Sequence, residues 1–364
     1  MTGATGLIGS YLLKQQLETG ASVTVLARNT RFLSRTERIR RLITHWNQQN
    51  HTTLPMPHVI EGHLANPQWC DLWRTWHQKR PFSFIHCAAS LAFDVTPQGE
   101  PWHTNCDGTR NILNVCEDGY VRDFHEFSTA YIAGNSHYFA ETDFDRGQTF
   151  HNVYEKSKFD AEKMFREAHL PSLTIYRPSI VVGHTQTGDI QNCFGFYAVL
   201  KLMYLLAKRN PFASQSGIKL LKFLGVSGAE HKNFVPIDWV THIFGRIFND
   251  PTMHGKTYHL VNPHATSITE YVEAMLDAIQ QCIPEKIRRP SDEQLFCQEY
   301  ATKIKPYAPY FQNDTLFDSQ QVQRNFPRTP CPQITKELMI FLSKRAIQNH
   351  FGKIQCDTSG KSTL

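Results

Sequence analysis

Long apolar runs are missing from this chain. The most hydrophobic stretch, residues 194–207 (FGFYAVLKLMYLLA), carries Lys201 in its middle and is shorter than the about 20 residues that a spanning helix needs, so it reads as a core or substrate-side helix and no membrane span is expected. Paired cysteines are missing too. The nine cysteines, at 70, 87, 106, 116, 193, 282, 297, 331 and 356, form no C-x-x-C pair and no zinc spacing, which points to reduced thiols and a cytoplasmic location. There are no internal repeats and no low-complexity tracts. Excess charge is modest at +5, and the local cluster Arg28, Arg31, Arg35, Arg38, Arg40 and Arg41 has neither an aromatic stacking platform nor a nucleic-acid motif beside it, so no nucleic-acid partner is expected. Met1 runs straight into a glycine turn without the apolar stretch of a signal peptide. What remains, 20% charged and 41% hydrophobic residues over 364 positions, is an ordinary globular composition, long enough for two domains or for one with an elaborated end.

The most informative stretch is the first nine residues. Residues 2–9 read TGATGLIG, with Gly3, Gly6 and Gly9 directly before an amphipathic run. Glycines at these places let a backbone turn tightly and approach a pyrophosphate at a helix N-terminus, which makes Thr2, Gly3, Thr5, Gly6, Leu7, Ile8 and Gly9 the expected dinucleotide-binding turn. Residues 22–27 (SVTVLA) supply the strand that a βαβ unit requires after it. The fold class expected is therefore α/β, a doubly wound parallel sheet. The first strand of such a sheet precedes the glycine turn and is central in the order 3-2-1-4-5-6, yet only Met1 stands there. It is expected to be missing or truncated, with either a start about 6–10 residues upstream or a shortened natural product.

After the second strand the chain offers Arg28, Asn29 and Arg31 and no carboxylate before Glu37. An acidic residue here would bind the ribose 2′-hydroxyl of NAD, whereas a guanidinium suits a 2′-phosphate, so Arg28 points to NADP(H) rather than NAD(H). Apolar residues at 32, 33, 39, 42, 43 and 46 give a helical period, read as a lengthened crossover helix. Residues 58–61 form the third strand. The fourth, 82–87, ends in Ala88-Ala89-Ser90, small residues that leave room for a dinucleotide. A helix over 102–117 contains Asn105, and the strand 123–127 delivers Ser128 and Thr129 to the ligand crevice. A helix over 152–166 then places Tyr154 and Lys158 four apart, hence on one face, and a sixth strand follows at 172–177.

The glycine spacing and the Tyr-x-x-x-Lys pair resemble the extended short-chain dehydrogenase/reductases, a Rossmann-type superfamily. STAYIAG (128–134), NVYEKSKFDAEK (152–163), YRPSIVVG (176–183) and NFVPIDWV (233–240) resemble one of its branches, which holds fatty acyl-CoA reductases, the male-sterility domain and terminal thioester reductases. The likeness covers about residues 1–265. It implies Tyr154 as proton donor and Lys158 as the charge that makes the phenol more acidic and holds the nicotinamide ribose. It implies Thr129, with Ser128 as the alternative, as oxyanion stabiliser, and Asn105 as a group shaping the site from below. Leu64 would pack on the adenine where the family carries an Asp-Leu pair and this chain has His63-Leu64, and Pro178 would line the nicotinamide side. No metal is required.

The domains expected are a dinucleotide-binding domain over 1–183, a substrate-lobe insertion over 184–228, a return to the nucleotide domain over 229–265, a small mostly helical substrate lobe over 266–348, and a disordered tail over 349–364. The function expected is NADPH-dependent reduction of an acyl thioester or related hydrophobic carbonyl, presented by coenzyme A or a carrier protein, with the helix at 194–207 lining the acyl channel; a homodimer is compatible with this. Two alternatives stay open. One is a nucleotide-sugar epimerase, dehydratase or 3β-hydroxysteroid-type dehydrogenase with the same site residues. The other is a non-catalytic dinucleotide-sensing module.

Overall fold

The computed structural model describes residues 1–77, 80–190, 194–209, 216–283 and 290–352. The chain divides into two compact units, the first made of Met1–Ser179, Trp239–Pro263 and Thr315–Pro332, the second of Ile180–Asp238, His264–Asp314 and Gln333–Leu364. Its first half runs α1 (Leu7–Glu18), β1 (Thr24–Ala27), α2 (Arg35–Asn50), β2 (His58–Glu61), α3 (Gln68–His77), β3 (Phe82–His86), α4 (Gly108–Cys116), β4 (Val121–Phe127), β5 (Tyr138–Phe139), α5 (Val153–Glu167) and β6 (Leu173–Pro178). There follow β7 (Ile180–Val182), α6 (Phe196–Ala207), α7 (Ser216–Leu224), β8 (His231–Lys232), β9 (Phe234–Pro236), α8 (Ile237–Phe248), β10 (Thr257–Leu260), β11 (Thr266–Ser267), α9 (Ile268–Cys282), α10 (Pro290–Lys303), β12 (Leu316–Phe317), α11 (Gln320–Asn325) and α12 (Lys336–Gln348).

The first unit is built on parallel strands. β1 pairs with β2, and β10, β6, β4 and β3 pair in that order. Met1 and Thr2 join the two groups where a central strand is expected: Thr2 bridges both Leu26 and His86, its N–H donating to Ile85 O at 3.0 Å while Leu26 N–H donates to Met1 O at 3.0 Å. The order β2-β1-Thr2-β3-β4-β6-β10 is thus doubly wound, with β10 added at the far edge. Helix-covered strands of this kind are buried on both faces, and Phe84, Phe124 and Phe165 pack with Trp69 and Trp73 in the core. β4 departs from that rule, because its buried positions include Asp123, His125 and Glu126.

The second unit is mostly helical, with the short pairs β7–β9 and β8–β11. The hydrophobic stretch of the sequence becomes α6, whose Phe196, Tyr197, Leu200 and Met203 are buried with Val272 and Leu342 in this unit's own core. Ser267 and Glu270 form a capping box at the start of α9. Of the expected tail, residues 353–364 lie outside the described residues; Phe351 before them is buried in the core, which a disordered segment would not be. Thr315–Pro332, expected in the substrate lobe, belongs to the first unit, because β12 pairs with β5 and Gln321 N–H donates to Glu141 at 2.7 Å. Residues 233–236 of the NFVPIDWV segment stay in the second unit, since β9 pairs with β7. Among the described residues no helix is long and apolar enough to cross a membrane. Cys70, Cys87, Cys106, Cys116, Cys282, Cys297 and Cys331 are all free thiols.

Candidate active site

The glycine turn lies against the end of β3. Gly3 has φ +73°, and a Cβ built on it would stand 2.5 Å from the backbone of Cys87 and Ala88; one on Gly9 would stand 2.2 Å from Gly3 O. Turn, strand end and α1 therefore close on one another at distances only glycine permits. Gly6 occupies the position before α1, with no side chain capping the helix and no acidic residue in its first turn. The first-turn N–H groups, contributed in part by the half-buried Leu7 and Ile8, thus form an anion-binding end suited to a pyrophosphate. Thr2 is buried: its hydroxyl meets His86 Nδ1 at 2.7 Å and accepts from Ala88 N–H at 3.3 Å, so it fixes the strand end instead of presenting a polar atom to a ligand.

Two arginines converge beside this turn. Arg28 follows β1 and is exposed, and its carbonyl accepts from Arg38 Nη1 at 2.7 Å. Arg38 Nη2 reaches Thr5 Oγ1 at 2.7 Å. Burial and the neighbouring Arg28 charge both lower the Arg38 pKa, as expected where two cations face a place meant for an anion. The sequence reading passed over Arg38 because it began the helix at Phe32. The signal was present as Ser34-Arg35-Thr36-Glu37, an S-x-x-E pattern whose Ser34 hydroxyl caps Glu37 N–H, so that Arg38 lies in the first full turn. Glu61, at the end of β2, accepts from Asn29 Nδ2 at 2.6 Å and pairs with Arg35.

Leu64 is buried against Gly108, where a Cβ would come within 2.7 Å of its side chain, and its carbonyl accepts from Trp69 and Asn111. His63 stacks on His103, centroids 5.4 Å apart. Ala88 and Ala89, both half-buried, form the loop after β3, and Asn105 holds that loop from inside. Asn105 Oδ1 accepts from Ser90 N–H at 2.8 Å, while its Nδ2 donates to Ser90 O at 3.1 Å and to Ser157 Oγ at 2.8 Å. Ser157 in turn donates to Tyr154 O at 2.8 Å, so Asn105 links the loop to the helix that carries the tyrosine. It stands in a π-helical turn, His103–Asp107, the kind of local widening that re-aims a side chain.

Helix α5 starts where it does because Asn152 caps Glu155 N–H while Glu155 accepts from His151 N–H at 2.9 Å. That start brings Tyr154 to Thr129, just past the end of β4, near enough for the threonine hydroxyl to favour the phenolate. Thr129 is held by its own turn, accepting from Tyr131 N–H at 3.3 Å and lying 3.5 Å from Pro178 O at the end of β6. The Ser128 hydroxyl instead lies beside Glu162, a buried carboxylate that pairs with Arg177 and Arg166. Of the two candidate hydroxyls, Thr129 is therefore the one that acts on the tyrosine.

Lys158 is turned toward the strand end. It lies on the expected helix face, but its ammonium is buried and turned to Phe127 O at 3.0 Å and Glu126 Oε1 at 3.4 Å. Burial pushes the Tyr154 phenol up to about 12, the Thr129 hydrogen bond pulls it down, and the Glu155 charge pushes it further up. Lys158 is not among the groups that act on the phenol here. Glu126, which the sequence reading missed, is fully buried, its Oε2 has no hydrogen-bond partner, and burial raises its pKa to about 7 against the pull of Lys158. An acidic residue two before the Ser-Thr pair, at the inner end of its strand, was the available signal.

Comparison with known proteins places the chain in a family. A family model described as "Male sterility protein" matches residues 1–244. The nonribosomal peptide synthetase asaC of Aspergillus flavus is 24% identical over 282 residues, 72% of this chain and 26% of that protein. The chain spans about a quarter of the length of the relatives it matches first, at 26% and 27%. Among solved structures, the terminal R domain from the myxalamid PKS-NRPS biosynthetic pathway has a TM-score of 0.73 at 22% identity, covering 97% of this chain and 90% of that one. A thiolation-reductase di-domain from an archaeal non-ribosomal peptide synthetase has a TM-score of 0.70 at 18% identity, covering 97% and 75%. The structural likeness is one of fold.

Proposed function

We propose that this chain, which belongs to the male sterility protein family and is an NAD(P)-dependent oxidoreductase of the extended short-chain type, reduces an acyl thioester or the aldehyde derived from it with NADPH. The observation that carries the reading is the approach of Thr129 to Tyr154, just past the end of a parallel strand in the same unit as an uncapped helix N-terminus. When bound, the nicotinamide cofactor supplies the hydride. Tyr154, kept protonated by burial, then donates its proton to the oxygen of the reduced carbonyl, and Thr129 donates a second hydrogen bond to that oxygen as charge builds on it. Lys158 keeps its ammonium buried between Glu126 and Phe127 O.

The cofactor fits the residues present. The first turn of α1 offers N–H groups to a pyrophosphate, Gly3 and Gly9 allow the close approach, and Arg28 with Arg38 offers two guanidiniums for a 2′-phosphate. Glu61, at the end of β2, is engaged by Arg35 and Asn29, which favours NADPH over NADH. A thioester on a carrier protein or coenzyme A is the substrate class favoured, because one relative's structure is titled a thiolation-reductase di-domain. The test is NADPH consumption with long-chain acyl-CoAs, acyl groups on a phosphopantetheinylated carrier protein, aldehydes and nucleotide sugars. Turnover of the thioesters or aldehydes supports the reading; epimerisation of a nucleotide sugar without net NADPH loss overturns it.

A further inference from the structure

Strand β4 carries a second polar cluster, toward its other end. Asp123 and His125 alternate along the strand and so share a face, and His254 reaches them from the segment between α8 and β10. His125 stands four residues before Thr129, about 13 Å along an extended chain, so the cluster is separate from the reductase site. One ligand atom from each of the three residues lies within 4.8 Å of the others, and the two imidazoles meet edge-on, centroids 4.7 Å apart at 87°.

Each group is anchored from behind and open in front. His254 Nε2 donates to Ile247 O at 3.0 Å, which leaves Nδ1 toward Asp123 Oδ1 at 3.9 Å. His125 meets the Tyr176 hydroxyl through Nδ1 at 3.0 Å, while its Nε2, in a fully buried side chain, has no hydrogen-bond partner. Asp123 accepts from the Ser83 hydroxyl and from Arg122. A buried polar nitrogen without a partner costs free energy that a ligand would recover. Imidazoles whose far nitrogens are fixed by a carbonyl or hydroxyl are the usual outer shell of a metal site.

We propose that Asp123, His125 and His254 bind one divalent transition-metal ion, zinc being the cation that suits two imidazoles and a carboxylate. Ligand atoms up to 4.8 Å apart need to close in by about half an ångström each to reach bond lengths of about 2.0–2.2 Å. The Arg122 guanidinium competes for Asp123, but its side chain is 70% exposed and can turn to solvent. The bound ion ties β4 to the α8–β10 segment, and it does so whether or not the reductase reading holds.

The experiment uses the full chain, stripped with EDTA and dialysed against zinc, and then cobalt as a spectroscopic probe. We expect about one equivalent of zinc by elemental analysis, a Tm higher by a few degrees, and the visible d–d absorption of low-coordinate cobalt. His254→Ala and Asp123→Asn should each weaken zinc binding at least tenfold and remove the cobalt band. His103→Ala, at the other histidine pair, should change neither. Asp123→Asn alone decides the matter if His254→Ala does not fold. No uptake and no Tm shift, or uptake unchanged in the variants that fold, or uptake lost in His103→Ala, overturns the proposal.

Discussion

Lys158 and Glu126 form a buried ion pair, 3.4 Å from Nζ to Oε1, in which the carboxylate's other oxygen has no partner. Lys158, Glu162 and Arg166, all from α5, are the charged groups that face Glu126, and burial with the Glu162 charge outweighs the attraction of the two cations, leaving its pKa at about 7. A carboxyl whose native pKa is raised keeps its proton where the unfolded chain has lost it. Its contribution to stability is complete below about 4.5 and is lost as the pH rises to about 7. The buried His86, His125 and His259, with lowered pKa values, act the other way at lower pH, so a difference measurement is needed. Glu126→Gln should gain on the unmutated protein by about 1–3 kcal/mol between pH 5 and pH 8, read by denaturant titration at each pH. A constant difference would show that Glu126 does not titrate in this window.

Tyr154→Phe keeps the ring and removes one oxygen. Turnover should fall by about 10²–10⁴-fold while cofactor affinity and Tm stay near those of the unmutated chain. Thr129→Val should lower kcat with little change in cofactor binding, and Ser128→Ala should stay active, because its hydroxyl lies beside Glu162. Wild-type-like turnover by Tyr154→Phe would falsify the assigned proton donor.

Arg28 and Arg38 are expected to share the 2′-phosphate. Either Arg→Ala change should narrow the preference for NADPH over NADH by about 1–3 kcal/mol. Arg38→Ala should also loosen the glycine turn, since Thr5 loses its donor. Titrating both cofactors into each variant separates the two effects: NADH affinity falls only where the turn itself is disturbed.

Asn105→Ala should act through position rather than chemistry. Removing the side chain leaves Ser90 N–H and Ser90 O without that partner and frees Ser157, at a cost of about 1–3 kcal/mol in stability. Because Ser157 is tied to the Tyr154 backbone, kcat should fall as well. Asn105→Asp, able to accept from Ser90 N–H but not to donate to Ser157, should recover only part of the loss.

Gly3→Ala should abolish dinucleotide binding and destabilise the first unit strongly, since the added carbon meets backbone at 2.5 Å and the residue holds φ +73°. Gly20, also at positive φ but with nothing within 4 Å of its Cβ position, should tolerate alanine at the modest cost of its φ alone. Comparing the two Tm values distinguishes close packing from conformational strain.

Much of this was legible in the sequence because local rules and global fold agree. The strand at residues 58–61 falls where the sequence reading puts it, and the TGATGLIG turn and the Tyr154–Lys158 spacing are local features whose geometry follows from helix and turn rules. The direction of Lys158 was not legible. It depends on a charge 32 residues away on a neighbouring strand, and no spacing rule couples the two. Nor was the role of Thr315–Pro332, whose anchor to the first unit is the two-residue strand Leu316–Phe317, too short to show a period. Arg38 was readable through the Ser34 cap and was passed over.

The return of Thr315–Pro332 bears on how the first unit is made. Glu141 is satisfied by N–H groups 118 and 180 residues further on, at His259 and Gln321. On the ribosome the strands from β1 to β6 emerge long before these partners, and a buried carboxylate waits for them. The first unit cannot finish folding as an N-terminal domain ahead of the second; its completion is delayed until Pro332 has been synthesised, by which time most of the second unit has already emerged. A nick within residues 264–314 would leave the pieces of the first unit held only by non-covalent pairing, so a cleaved chain should persist as a complex yet refold poorly after dilution from denaturant.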